Sequence, residues 1–152
     1  MSIGTWNYSF IGDLMWCSRE VFINTINRYC QGVILWNLML DDNKGPNRPG
    51  GCTTCYGCID INSSDYKTLE KRTHYYILSH FSKVVKPGAY RIKHTGLAGD
   101  GIYASTFVNP DNSYSVVLQN DTDNMQQVTI LCKGKQFTCN LKGKSLTSLN
   151  WK

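Results

Sequence analysis

The apolar residues between Asp13 and Cys30 recur at helical spacing, with Leu14, Cys17 and Val21 on one stripe. The neighbouring stripe consists of Met15, Phe22, Ile26 and Tyr29. Residues three and four apart share one face of an α-helix, so this spacing predicts an amphipathic helix over residues 13–30. Asp13 is suited to cap its start, because a carboxylate accepts a hydrogen bond from a free backbone N–H.

A continuous apolar run, Val33-Ile34-Leu35-Trp36, follows this helix after Gly32. Such a run is typical of a strand that is buried on both faces, as in a parallel sheet. The next segment, residues 41–64, is rich in Pro, Gly, Asn and Asp, and this composition predicts a long loop.

A second amphipathic helix is predicted over residues 65–84, with Ser64 as its N-cap and Lys86-Pro87-Gly88 as its end. Its apolar stripe consists of Leu69, Thr73, Ile77, Phe81 and Val84. Parallel strands need helical crossovers, so the order helix, buried strand, loop and helix is typical of the end of a β/α series. Residues 1–87 are too few for a closed eight-stranded barrel, which needs about 200 residues.

After Gly88 the apolar pattern changes to a period of two. Alternating residues run through 102–108, 114–118, 128–132 and 137–141, and Gly, Asn and Asp turns separate these stretches. About five or six short strands at regular spacing predict an antiparallel β-sandwich. We therefore expect an α/β plus all-β fold: the last β/α units of a (β/α)8 barrel in residues 1–87 and a β-sandwich side domain in residues 88–152.

The composition is typical of a folded protein and favours neither a membrane-spanning nor a nucleic-acid-binding one. A hydrophobic fraction of 41% and four tryptophans suffice for a packed core. No apolar stretch reaches the about 18 residues of a membrane-spanning helix, so no transmembrane segment is predicted. The N-terminus lacks the basic and apolar regions of a signal peptide, and the location of the protein stays open. Much of the net charge of +5 lies in predicted turns that lack interleaved aromatic residues, so nucleic acid is not an expected partner.

Seven cysteines are present, and three of them form the pattern Cys52-x-x-Cys55-x-x-Cys58 in a glycine-rich loop. A structural zinc site needs four ligands, and the fourth would have to come from Cys17, Cys30 or a distant histidine. A loop disulfide with one spare thiol, or three reduced thiols, accounts for the same pattern. We expect neither a metal nor a cofactor, while a zinc- or thiol-dependent small protein stays an alternative.

Several strings, in order along the chain, resemble one enzyme family. Residues 35–41 (LWNLMLD) and Gly45-Pro46-Asn47 resemble the Trp-Asn-Leu-x-Leu and Gly-Pro-Asn segment of glycoside hydrolase family 30, the glucosylceramidase-like retaining β-glycosidases. Residues 75–92 are similar to that family's final barrel helix and its entry into the side sandwich, and residues 51–57 to a loop of bacterial members. The resemblance implies that residues 1–87 contain barrel helix 7, strand 8 and helix 8.

The resemblance also implies a chemistry of two glutamates, one acting as acid/base and the other as nucleophile. Residues 1–4 fit the positions directly after the family's nucleophile, so we expect both catalytic carboxylates to lie upstream of Met1 and this chain alone to be inactive. Glu20 and Glu70, the only glutamates of the sequence, are expected to be solvated charges on helix faces. Asp41 and Asp42 follow strand 8 and are expected to cap the loop at the rim.

By resemblance, Trp36 is the strand-8 tryptophan that stacks on a sugar ring; the alternative is a tryptophan buried in a core strand. Ser2 matches a small polar position near the nucleophile, and Asn37 and Asn47 are expected to hold loop geometry or to reach substrate hydroxyls. The implied substrate is a β-glucoside or a β-glucan, either glucosylceramide-like or β-1,6-linked. No role in catalysis is expected for the histidines.

Two further expectations concern partners. An apolar surface of the incomplete barrel should be covered by an upstream barrel segment or by a homo-oligomer, and the sandwich should have an unpaired edge. The competing hypothesis is a stand-alone carbohydrate-binding or interaction module on the sandwich. It requires exposed, coplanar aromatic residues, for which the candidates are Tyr90, Tyr103, Phe107 and Tyr114.

Overall fold

The computed structural model describes residues 8–97 and 101–152. The first part contains α1 (Phe10–Cys17), a π-helical segment (Ser18–Ile23), α2 (Asn24–Asn27), β1 (Met39–Asp41), β2 (Ile59–Ile61), β3 (Leu69–Lys71), α3 (Thr73–Val84) and β4 (Tyr90–Ile92). The second part contains β5 (Ile102–Val108), β6 (Tyr114–Asn120), β7 (Gln126–Cys132), β8 (Lys135–Leu141) and β9 (Ser145–Trp151). No helix in these two described parts is long and apolar enough to cross a membrane.

The first helical stretch begins earlier than predicted and is not a regular α-helix. Ser9, not Asp13, caps α1, since its hydroxyl accepts a hydrogen bond from the Gly12 N–H at 3.3 Å. The Ser18 hydroxyl shares its one hydrogen between the Leu14 carbonyl, at 2.6 Å inside the helix, and the Gln119 side chain, at 2.8 Å. A serine bonded back to the preceding turn disturbs the regular ladder, which agrees with the π-helical segment that begins at this residue.

The apolar run 33–36 does not form the predicted strand, because in the described structure it has no neighbouring strand to pair with; regular structure resumes only at Met39. Its side chains nevertheless alternate. Val33 and Leu35 pack against the core, whereas Ile34 is 94% and Trp36 is 62% exposed.

The three short strands after this run form a small sheet. β1 is parallel to β2, and β2 is antiparallel to β3.

The second helix begins at Thr73 rather than at residue 65. Residues 69–71 form β3, which pairs with β2, and Ser64 is therefore no N-cap. The Asp65 carboxylate accepts hydrogen bonds from the Lys67 and Thr68 N–H groups, which closes a turn instead of opening a helix. The predicted end of the helix at Val84 is correct, and so is the burial of its last three apolar stripe residues.

The sandwich consists of one four-stranded sheet, ordered β4-β5-β6-β9, and a hairpin of β7 and β8, with all pairs antiparallel. β6 is buried on both faces. Val117 packs in a core with α1 and α3, while Val116 and Leu118 pack in a second core with Leu141 of the hairpin. The fold is thus mostly a β-sandwich with a few helices, and the barrel part of residues 1–87 stays a prediction.

Polar groups join the helices to the sheet. The fully buried Gln119 accepts a hydrogen bond from the Ser18 hydroxyl at 2.8 Å and donates to the Met15 carbonyl at 2.9 Å. At the other helix, Asn109 and Ser115 both donate to the Val84 carbonyl, at 3.0 and 2.5 Å. Val84 is the last residue of α3, so its carbonyl has no partner further along the helix and is satisfied by the sandwich instead.

Candidate functional site

The chain changes direction directly after Trp36, and side chains and backbone hold this change in place. Asn37 has a positive φ of 63°, and its side-chain oxygen accepts a hydrogen bond from the Met39 N–H at 3.0 Å. The Asn37 carbonyl accepts a second bond from the Cys58 N–H at 3.2 Å. Residues 36–47 and 52–58 therefore form one connected region, which we call the rim.

Trp36 is the most exposed tryptophan among the residues that the structure describes, at 62%. The indole points away from the core because the inward positions of the run are Val33 and Leu35. In the described part of the chain Trp36 is therefore not buried in a core strand, and its stacking on a sugar stays a prediction. An exposed indole face beside polar loops is suited to stack on the C–H groups of a sugar ring.

The loop that follows β1 is tied by its own residues. Asp41 accepts a hydrogen bond from the Gly45 N–H at 2.6 Å through its carboxylate, and the Asn47 amide donates to the Lys44 carbonyl at 3.2 Å. Asp42 accepts from the Ser63 N–H at 3.1 Å, as expected for a loop cap. Asn37 and Asn47 both bond within the rim, and a contact of either with a sugar stays a prediction. Ser2, the fourth candidate, lies outside the described residues.

Both glutamates are paired with arginine side chains. Glu20 accepts hydrogen bonds from Arg19 at 2.7 Å and from Asn24 at 3.0 Å, and the bond from Arg19 lowers the pKa of its carboxyl. Glu70 lies on β3 rather than on a helix, is 68% exposed at its side chain, and pairs with Arg72 at 3.1 Å. A glycosidase general acid needs a raised pKa, so Glu20 has the opposite perturbation.

A cluster of buried polar and aromatic residues joins the starts of α1 and α3, and sequence analysis missed it. Tyr56 stacks on His74 with ring centroids 5.4 Å apart, and Tyr8 packs edge-on against Tyr56 at 5.1 Å. The Thr73 hydroxyl donates to the Asp13 carboxylate, which is the actual role of the residue predicted as a cap. Burial raises the pKa of Tyr56 and lowers the pKa of His74. Of the residues in this cluster, only Asp13 was predicted from the sequence to make a polar contact, and that contact was a helix cap.

A second missed group fixes the rim to the start of α3. Asp60 is 2% exposed and accepts hydrogen bonds from Arg72 Nε at 2.8 Å and Nη2 at 2.5 Å. Lys44 Nζ lies 3.3 Å from the same carboxylate oxygen. A buried carboxylate with two cationic partners links β2, the loop after β1 and α3 into one unit.

The cysteine-rich loop contains one disulfide, between Cys52 and Cys55. Cys58 is a buried thiol whose pKa burial raises. Of the alternatives left open by the sequence, the loop disulfide with a spare thiol is therefore the one observed. In the described residues no three metal-binding side chains come together.

The aromatic residues of the sandwich do not form one exposed face. Tyr90 is 75% exposed, but Phe107 is 5% exposed and lies in the core. Arg19 covers the Tyr103 ring at 5.3 Å, and Tyr114 stacks on Trp151 at 6.0 Å. The coplanar, exposed arrangement that a sandwich-based binding module requires is not seen for these four residues.

Sequence comparison agrees with this architecture. Residues 88–149, which contain β4 to β9 almost completely, match the sequence model of the glycosyl hydrolase family 30 beta sandwich domain. The sandwich is thus a glycosyl hydrolase family 30 domain. The similarity of the chain to family 30 enzymes extends beyond the sandwich and corresponds to a C-terminal portion of those proteins.

Three relatives illustrate the range of family 30 proteins that the chain resembles. It is 34% identical to the endo-1,6-beta-D-glucanase neg1 of Aspergillus fumigatus over 86% of the chain and 28% of that protein. It is 33% identical to the putative glucosylceramidase 2 of Caenorhabditis elegans over 64% of the chain and 19% of that protein. The solved structure of the endo-beta1,6-glucanase BT3312 is 48% identical, with a TM-score of 0.90 over 99% of the chain and 34% of that protein. The chain spans less than a third of the curated relatives it matches.

Proposed function

We propose that this chain supplies the C-terminal part of a retaining endo-β-1,6-glucanase, in which Trp36 stacks on a glucose ring of the substrate. The observation that carries the proposal is the exposed indole of Trp36 on the rim, in a chain 48% identical to an endo-β-1,6-glucanase over nearly its whole length. A β-1,6-glucan is preferred to glucosylceramide, because over 86% of the chain the identity is 34% to the Aspergillus fumigatus glucanase but 26% to the putative glucosylceramidase 3 of Caenorhabditis elegans.

Hydrolysis would proceed through two glutamates that this chain does not provide. Retention requires two carboxyl groups about 5–5.5 Å apart, one attacking the anomeric carbon while the other protonates the leaving oxygen. Glu20 and Glu70 are both held by arginines and lie on different elements, α1's π-helical extension and β3. The role of residues 36–47 is then to bind and orient the sugar, and the chain alone should not turn over substrate.

A barrel partner is the second part of the proposal. Residues 1–87 would be the last β/α units of the barrel and residues 88–152 its side sandwich. Large apolar side chains that would face the rest of the barrel are exposed, namely Phe10, Ile34 and Leu38. A further segment of the barrel, or another copy of the chain, would cover them.

A chimera tests the proposal. The N-terminal two thirds of the enzyme BT3312 would be fused upstream of this chain, and hydrolysis of a β-1,6-glucan measured for the fusion and for the 152-residue chain alone. We expect activity only in the fusion. Trp36→Ala should lower kcat/KM of the fusion at least about tenfold, equivalent to about 1.4 kcal/mol of transition-state stabilisation, and Trp36→Phe should retain part of it.

Tyr90→Ala is the matched control, because Tyr90 is also a largely exposed aromatic residue but lies on β4 of the sandwich. Equal losses in the two alanine variants would contradict a sugar-stacking role for Trp36. Turnover by the chain alone, abolished by Glu20→Gln or Glu70→Gln, would contradict the assignment of the catalytic carboxylates to a missing part.

A further inference from the structure

A second tryptophan lies at the surface, in a groove between the helices and the sandwich. α1 buries Leu14, Met15 and Cys17, so Trp16, between them in sequence, points outward and is 44% exposed. Its neighbours across the groove are Asp121, which follows β6, and Lys144, which precedes β9. The groove has a volume of about 230 Å³, and its helical wall contains Ile11, Met15 and Arg19.

The polar side of this groove is held in a fixed arrangement. Asp121 accepts a hydrogen bond from Arg19 Nη1 at 2.7 Å and from Lys144 Nζ at 3.1 Å. Lys144 also donates to the Asp121 carbonyl, and the Arg19 guanidinium packs over the Tyr103 ring at 5.3 Å. A polar group that is already oriented loses little conformational freedom when it binds a ligand.

The charges of the groove are balanced within it. The two cations, Arg19 and Lys144, face Asp121, and Arg19 additionally pairs with Glu20 at 2.7 Å. An anionic ligand would have to compete with two carboxylates for the cations, so the arrangement favours an uncharged ligand. The second lone pairs of Asp121 and the further N–H groups of Arg19 and Lys144 offer acceptors and donors in one place.

We propose that this groove is a second saccharide site, which binds one ring of an uncharged glucan by stacking on Trp16 and by hydrogen bonds to Asp121, Arg19 and Lys144. The C–H groups on one face of a hexose can stack on the flat indole, and its hydroxyl groups can bond to the donors and acceptors beside it. The volume lies below the roughly 300 Å³ at which pockets for drug-sized ligands begin, which agrees with one ring rather than a long chain. None of the residues that line the groove belongs to the rim, so the site would hold a polymer away from the bond that is hydrolysed.

The choice of glucose as the sugar rests on the proposed function, but binding at Trp16 does not. The test uses the intact chain and follows the indole N–H signals of its four tryptophans by NMR, each assigned through a Trp→Phe variant. A β-1,6-linked glucose disaccharide is titrated, with glycerol as the control for a general cosolvent effect. We expect a saturable shift of the Trp16 signal with a Kd of about 1–10 mM.

Binding to the Trp16 variants is followed in the backbone amide signals of Asp121 and Lys144, which line the same groove. Trp16→Ala should abolish this binding, while without sugar the indole signals of Trp6, Trp36 and Trp151 keep their positions, and Trp16→Phe should weaken it without removing it. Asp121→Asn should weaken binding, because an amide replaces one acceptor with a donor. A shift confined to Trp36 would overturn this inference and leave the proposed function intact. An equal shift with glycerol, or no shift of Trp16, would also overturn it. A Trp16 shift together with an inactive chimera would support this site and contradict the proposed function.

Discussion

Arg72 pairs with two carboxylates of very different burial, and removing each in turn tests what holds the rim. Asp60→Asn neutralises the carboxylate that is 3% exposed at its side chain, and Glu70→Gln neutralises the one that is 68% exposed. The two changes are alike in size and in charge lost. They differ in what they leave behind, because only Asp60→Asn leaves Arg72 and Lys44 without their buried counter-charge.

The magnitudes follow from this difference. Breaking a buried ion pair by removing one partner costs about 3–5 kcal/mol, since the remaining charge stays desolvated. An exposed pair contributes about 0–1 kcal/mol, because water and salt screen it. With a urea dependence of about 2 kcal/mol per M, Asp60→Asn should lower the urea midpoint by roughly 2 M and Glu70→Gln by less than roughly 0.5 M.

Urea unfolding followed by tryptophan fluorescence measures both shifts. Added salt provides a second observation, because it should reduce the small effect of Glu70→Gln and leave the large one nearly unchanged. Equal midpoints for the two variants would refute the claim that the buried pair holds β2, the loop after β1 and α3 together. In the chimera, Asp60→Asn should also raise KM more than Glu70→Gln does.

Three further predictions concern stability. Burial lowers the folded-state pKa of His74, His80 and His94, so the stability that they contribute is complete above about pH 6.5 and is lost as the pH falls towards their folded pKa. The urea midpoint should therefore decrease from pH 7.5 to 5.5, and a constant or rising midpoint would contradict this prediction. Asn120→Ala removes the amide donor of the Leu141 carbonyl, while the Lys142 carbonyl keeps the Ser145 hydroxyl, and should cost about 1–3 kcal/mol in urea unfolding; Asn120→Asp, which has the same size but lacks the amide donor, should be no milder at pH 7. Cys52→Ser opens a very short disulfide loop and should lower stability in thermal unfolding by at most about 2 kcal/mol; reductant should not change this variant further, whereas Cys58→Ser keeps the disulfide and should respond to reductant as the unchanged chain does.

The sequence predicted the elements whose pattern is local. β5 spans the predicted residues 102–108, β6 contains the predicted residues 114–118, and the last turns of α3 bury Ile77, Phe81 and Val84. In α3 one face decides the packing, and spacing along the chain reports that face directly, whereas β5 and β6 supply side chains to both cores. β4 and β9 were not placed individually, because their short or partly polar sequences carry little alternation.

The errors occurred where a distant partner decides the structure. Residues 69–71 have the charges and apolar spacing of a helix, but they pair with β2, and Asp60 beside them draws in Arg72. Ser18 is an ordinary polar residue on a predicted helix until Gln119, one hundred and one positions away, accepts its hydrogen bond. The polar cluster of Tyr8, Tyr56 and His74 likewise depends on three separate segments meeting.

α3 connects the rim to the sandwich. Its twelve residues give a rod of about 18 Å at 1.5 Å per residue. Thr73, at one end, bonds to Asp13 in the polar cluster, while the Val84 carbonyl, at the other end, accepts from Asn109 and Ser115 of the sandwich. Since Ile77 and Phe81 in between pack in the same core as Val117 of β6, the rod cannot tilt without disturbing a sheet that is buried on both faces. The sandwich therefore fixes the position of α3, and through α3 it also fixes the rim, although no sandwich residue belongs to the rim.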